Sequence, residues 1–179
     1  MNILVFIQVD DNQINRMSLE ALACAQNLNY SVSAVTFDEK TSEELSHYKL
    51  NEVILVKNSN LNDYNPLHYT STLNKVIKDD FDAIFFAHTY EARDWVPRLS
   101  ARIDCPFISD CIQIKNDNES LCYTRQSYQG KLNNDIIGKN SKILCSIQSG
   151  CYKIDSLEKG QTNIKKLHPL RDRTLCFIP

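Results

Sequence analysis

The sequence predicts an α/β protein: a three-layer, doubly wound, mostly parallel sheet of Rossmann-like type, with a C-terminal antiparallel strand extension. Three observations carry this. Short apolar runs alternate with helix-forming stretches up to Ile103, with strands starting roughly 20–30 residues apart, the rhythm of β-α-β units. The runs Ile3–Ile7 and Ala83–Ala87 are continuous in apolar residues, as in strands buried on both faces. After Pro106 the rhythm changes to strand-like runs separated only by turn residues.

Met1–Val9 reads as the first strand, broken by Asp10, Asp11 and Asn12, which are turn formers. Asn15–Leu28 sets Met17, Leu19, Leu22, Ala23 and Ala25 among good helix formers, and Tyr30–Phe37 alternates at Val32, Ala34 and Thr36 as a strand. Thr41–Leu50 reads as a short helix, with Ser42 as N-cap ahead of Glu43 and Glu44. A third strand at Val53–Val56 leads through the polar loop Asn58–Pro66 to a helix from about His68 to Lys78. The fourth strand, Asp82–Ala87, follows. Right-handed crossovers put a helix layer on each face.

The fourth helix is expected at Trp95–Ile103. Asp94 would cap it, and Pro97 would fall in its first turn, where a missing N–H costs nothing. A start at Tyr90 would put Pro97 in the third turn, at a cost of about 3 kcal/mol. Trp95, Val96, Leu99 and Ile103 then face the sheet, while Arg98 and Arg102 share another face. Phe107–Lys115, Leu121–Tyr128, Lys131–Ile137 and Lys142–Gln148 are the four runs of the extension, expected to pair antiparallel. One domain is predicted over 1–154. From Asp155 the chain is charged without apolar periodicity, so 155–179 reads as a linker-like tail.

Composition narrows the function. A chain of 179 residues with 20 basic and 22 acidic side chains has a net charge of −2, which gives no attraction to nucleic acid or an acidic membrane surface. No apolar run approaches the length of about 20 residues needed to span a bilayer, and the N-terminus lacks the basic region of a secretory signal. The seven cysteines contain no CxxC pair, so neither a zinc site nor a redox dithiol is expected. Those in Ala-Cys-Ala and Leu-Cys-Ser read as small buried hydrophobes in a reducing, cytoplasmic compartment. The four glycines, at 130, 138, 150 and 160, leave no GxGxxG or P-loop after the first strand, so no self-sufficient nucleotide site is expected.

Ligands of open α/β sheets bind at the carboxyl edge, where His88 and Thr89 follow the fourth strand. His88, Thr89, Arg93 and Arg98 form a candidate anion or partner loop; the alternative is a capped helix with a solvated basic side. Catalysis would need a nucleophile beside His88, and nothing in the spacing brings Cys105 or Cys111 there. No catalytic residue and no metal ligand is assigned.

The frame Thr89, Arg93-Asp94, Pro97-Arg98-Leu99, Ala101-Arg102-Ile103, Ser109-Asp110 and Ile114 resembles the N-terminal domain of the electron transfer flavoprotein alpha subunit. The family pattern there is G-x-T-x-x-G-R-D-L-A-P-R-L-A-A-R-L, then S-D-x-x-x-I. Arg125, Tyr128, Gly130 and Lys131 match a second element, and 143–152 is similar to the family's last strand, so the resemblance covers 1–153 in order. It departs at Ala92 (family glycine), Trp95 (leucine), Gln126 (proline) and Gln148 (commonly arginine). The resemblance implies a Rossmann-like, adenine nucleotide alpha hydrolase-like fold, in which Asp94, Pro97, Ser109, Asp110, Arg125, Tyr128 and Gly130 serve the structure. It also implies an electron carrier rather than an enzyme, partnered by a beta subunit. FAD would be held at the level of the complete complex and not by this chain alone. Most FAD contacts lie in a second alpha domain, here absent after residue 155 or separately encoded, and AMP sits in the beta partner. The rival reading is a freestanding nucleotide- or small-anion-binding α/β domain.

Overall fold

Residues 1–168, apart from 62, 78–79, 118–119 and 139–141, are described by the structure, a computed structural model. The end of the third predicted helix at Lys78 and the last part of the predicted tail, with Cys176, lie outside the described residues.

The first strand, β1 (Asn2–Phe6), has no exposed residue after Asn2 because neighbours cover both its faces. It pairs in parallel with β4 (Ser31–Thr36) and β6 (Ala83–Ala87). Its side chains alternate between two cores. Ile3 and Val5 meet Ala21, Leu22, Cys24 and Ala25 of α1 (Arg16–Asn27), while Leu4 and Phe6 meet α3 (Pro66–Val76) and α4 (Tyr90–Ile103) through Leu73, Trp95 and Leu99. This is the three-layer arrangement expected of a doubly wound sheet. Between β1 and α1 the chain makes a small hairpin, β2 (Val9–Asp10) and β3 (Gln13–Ile14). Its turn residues, Asp11 and Asn12, have φ of 49° and 60°.

The large sheet also contains β5 (Val53–Val56), β7 (Phe107–Asp117), β8 (Ser120–Ser127), β9 (Leu132–Ile137), β10 (Ile143–Ile147) and β11 (Ile164–Leu167). The order is β11-β5-β4-β1-β6-β10-β7-β8-β9. β7, β8 and β9 pair antiparallel as expected. β10 does not: it inserts in parallel between β6 and β7, and all five of its residues are buried. An apolar run of this kind belongs at the centre of the sheet.

The stretch read as a linker also differs. Within it, β11 adds a parallel edge strand to β5, with Ile164 opposite Val53. Ahead of β11, Gly160 donates its N–H to the His47 carbonyl, and a Cβ there would lie 2.9 Å from the Lys49 Cα, so only glycine allows this approach. Lys49 and Glu158 pair at 2.6 Å beside it.

The second helix, α2 (Glu39–Leu45), starts before the expected Thr41. Asp38 caps it by accepting from the Thr41 N–H at 2.7 Å, whereas Ser42 is buried and donates to the Glu39 carbonyl. α3 likewise starts early: Asn65 accepts from Leu67 and His68, and Pro66 occupies the first helical position.

The largest correction concerns α4. It begins at Tyr90, not Trp95, with Thr89 and not Asp94 as its N-cap, and Pro97 lies inside it. The turn before Pro97 buries Ala92, Trp95 and Val96. Trp95 packs edge-on against Phe6, Tyr69 and Phe86, with ring centroids 5.0, 5.7 and 5.4 Å away. Burying a tryptophan is worth about 4–6 kcal/mol, which outweighs about 3 kcal/mol for the interior proline.

Candidate functional site

Thr89 joins the ends of β1 and β6. Its hydroxyl accepts from the Ala92 N–H at 3.1 Å, which caps α4, and donates to Gln8 Oε1 at 2.6 Å. Gln8 is buried; its amide donates to Asp10 at 2.8 Å, and its backbone N–H donates to Ser18 Oγ at 3.0 Å. Asn15 also donates to Asp10. Both sides of the Thr89 hydroxyl are therefore used within the fold.

His88 sits one residue earlier, with its N–H bonded to the Ile147 carbonyl at 3.0 Å. Its Nδ1 lies 2.8 Å from Ser146 Oγ, which also accepts from the Asp110 N–H at 3.0 Å. The Asp110 carboxylate on the Nε2 side favours the neutral tautomer protonated at Nε2, with the Ser146 hydroxyl donating to Nδ1. Nε2 faces Asp110 Oδ1 at 3.7 Å. Partial burial holds the imidazole below the ordinary histidine range; the nearby Arg93 and Arg125 act the same way, and Asp110 opposes them. β7 is irregular around Asp110, where φ is 61°: its pairing with β10 slips between Ile108 and Cys111, and its pairing with β8 slips between Cys111 and Gln113. Beyond Asp110, Ile114 joins the core shared with α1, and the Asn116 amide donates to the Leu28 carbonyl.

Serine, histidine and aspartate together suggest a hydrolase, but the arrangement cannot act as one. Ser146 is 0% exposed inside β10, so no substrate carbonyl can reach its oxygen. Cys105 and Cys111 give their thiols to the Ile103 and Ile108 carbonyls. Among the described residues no three His, Cys, Asp or Glu side chains converge as metal ligands.

The predicted loop divides. Arg98 pairs with Asp94 at 3.3 Å, and Tyr64 donates to the same carboxylate at 2.8 Å. That contact and partial burial push the Tyr64 phenol up, burial being the larger cause. Arg93 is exposed and lies over the Tyr90 ring, 5.3 Å from its centroid. Arg125 lies opposite Cys111 on β8, next to the irregularity at Asp110. Tyr128 and Gly130, with φ of 52° and 81°, make the β8–β9 turn. Ser109 precedes Asp110 in β7. Sequence reasoning missed Gln8 and Ser146. Each is a lone polar residue in or at the end of an apolar strand, which is the signal that could have found them.

A cleft of about 430 Å³ opens beside this edge, lined by Phe6, Gln8, Asp11, Phe37, Asp38 and Tyr69 among others. It does not fit the diphosphate of FAD or a nucleotide phosphate. Asn15 closes the first turn of α1 by accepting from the Met17 N–H at 2.8 Å, and the mouth presents Asp11 and Asp38. Lys40 is the nearby cation, its ammonium 3.4 Å from the Asn12 carbonyl. A phosphate needs free helix N–H groups and positive charge instead.

The electron transfer flavoprotein domain model matches residues 3–170. Similar proteins include the electron transfer flavoprotein subunit alpha of Bacillus subtilis, 26% identical over 152 residues, 82% of this chain and 47% of the relative. That of Syntrophomonas wolfei is 25% identical over 154 residues, 84% and 49%. A probable mitochondrial alpha subunit of Saccharomyces cerevisiae is 27% identical over 158 residues, 83% and 45%. The chain spans about half the length of these relatives. With a match that begins at Ile3 and runs through the described strands to β11, the chain belongs to the electron transfer flavoprotein family, and its relatives are alpha subunits.

Proposed function

We propose that this chain is the scaffold and partner-binding domain of an electron transfer flavoprotein alpha subunit, acting in the cytoplasm. It docks a beta subunit, which holds AMP, and a flavin-bearing alpha domain; FAD then carries electrons from dehydrogenases to an acceptor. The redox chemistry belongs to the flavin, and this chain supplies position and surface. The observation that carries the reading is the family match along 3–170. The acidic cleft supports it against the freestanding nucleotide binder, because Asp11 and Asp38 repel phosphate. The domain is proposed to comprise 1–154, with β11 as an added edge strand.

Sedimentation of the purified chain with a beta subunit tests this. A heterodimer is expected. A chain that stays monomeric with the beta subunit, yet gains thermal stability with ATP or AMP in a way that Arg93→Ala abolishes, would establish the freestanding binder instead.

A further inference from the structure

Two guanidinium groups beside His88 lack a carboxylate. Among the described residues neither Arg93 nor Arg125 forms an ion pair, whereas Arg98 on the same helix is paired with Asp94. Arg125 is half-buried, and its Nε is closed off from solvent with no hydrogen-bond acceptor. An N–H left in that state is costly; an arriving oxyanion would pair with the terminal guanidinium nitrogens of Arg125, which are not closed off in this way. The β7–β8 ladder places Arg125 opposite Cys111, one residue from the Asp110 that faces His88. Arg93 lies in the first turn of α4, its N–H bonded to the Thr89 carbonyl. Two arginines and one aspartate around a neutral histidine leave one net positive charge, which suits a singly charged carboxylate better than a dianionic phosphate.

We propose that His88, Arg93 and Arg125 receive one carboxylate carried by the beta subunit where it docks on this edge of the sheet. This rests on the partner-binding reading above. Tyr90, 87% exposed and held by Arg93, supplies the aromatic contact beside the ion pair. Tyrosine and arginine are the residue types that anchor protein interfaces.

Calorimetric titration of the full chain with the beta subunit of the same organism tests the proposal. Arg93→Gln and Arg125→Gln should each weaken binding by about tenfold or more, and Arg98→Gln, whose arginine is already paired, by about twofold or less. Thermal melts confirm folding; should Arg125→Gln unfold, Arg93→Gln at its exposed position carries the test. If the wild-type chain binds and both variants bind as tightly, the carboxylate receptor is overturned and the partner-binding reading stands. If the wild-type chain does not bind, both fall. Saturable binding of inorganic phosphate to the chain alone, lost in Arg125→Gln, would assign a phosphate site and overturn the carboxylate.

Discussion

Replacing Thr89 by alanine removes two hydrogen bonds at once. The Ala92 N–H loses its cap at 3.1 Å, and the buried Gln8 Oε1 loses a donor at 2.6 Å. Loss of an N-cap costs about 1 kcal/mol, and an orphaned buried acceptor about 1–3 kcal/mol. The two together give about 2–4 kcal/mol. With a urea slope of about 2–3 kcal/mol/M, the unfolding midpoint should fall by about 1 M or more. Thr89→Ser keeps the hydroxyl and should remain within about 1 kcal/mol of wild type. Asp94→Ala, which removes an exposed ion pair and a tyrosine contact, should also cost about 1 kcal/mol or less. Urea denaturation followed by circular dichroism reads all three. If Asp94→Ala is more damaging than Thr89→Ala, the helix starts at Trp95 and the description of this edge is wrong.

Three further outcomes follow from the geometry. Trp95→Ala should cost about 3–5 kcal/mol, and Trp95→Leu less, because leucine refills part of the space between Phe6, Tyr69 and Phe86; equal losses would contradict the edge-on packing. The His88 pKa is lowered on folding from its ordinary 6.5, so the unfolded chain binds that proton more readily and the stabilising contribution is present above that value. It is lost as pH falls through the folded pKa. The melting temperature should therefore drop on acidification from about pH 7 to pH 5, and less steeply in His88→Gln. The raised Glu91 carboxyl acts in the opposite sense and is common to both proteins, so it cancels in the comparison; an unchanged slope would refute the assignment. In native alkylation at neutral pH, exposed Cys151 should label well before Cys24 and Cys145. Both of the latter are buried, and the Cys24 thiol is pushed up to about 12. Site-resolved mass spectrometry that found Cys24 or Cys145 modified first would contradict the packing.

The doubly wound core was legible because it depends on periodicity. The alternation of Ile3 and Val5 against Leu4 and Phe6 is a property of the strand itself, and two-sided burial follows from it. The turn at Asp11 and Asn12 was legible for the same local reason. What escaped were features decided by tertiary partners. The parallel placement of β10 depends on its fit between β6 and β7, and nothing local distinguishes it from a hairpin strand. β11 carries too few apolar residues to announce itself and exists because β5 offers an open edge. The early start of α4 depends on Trp95 finding an aromatic pocket. At the candidate site, the residues that spacing groups at one edge divide in the structure. Arg98 and Thr89 are satisfied locally, while Arg125 comes from β8, 37 positions after His88, paired opposite Cys111.

The proposed role of this chain is to position a flavin-bearing assembly without holding the flavin itself. It is tested most directly by visible absorbance after purification, alone and after co-expression with a beta subunit and the flavin-binding part of an alpha subunit. A colourless chain alone, and a stoichiometric flavin spectrum in a co-purifying complex, is the predicted result. A yellow chain in isolation, or a flavin complex that assembles without this chain, would contradict it.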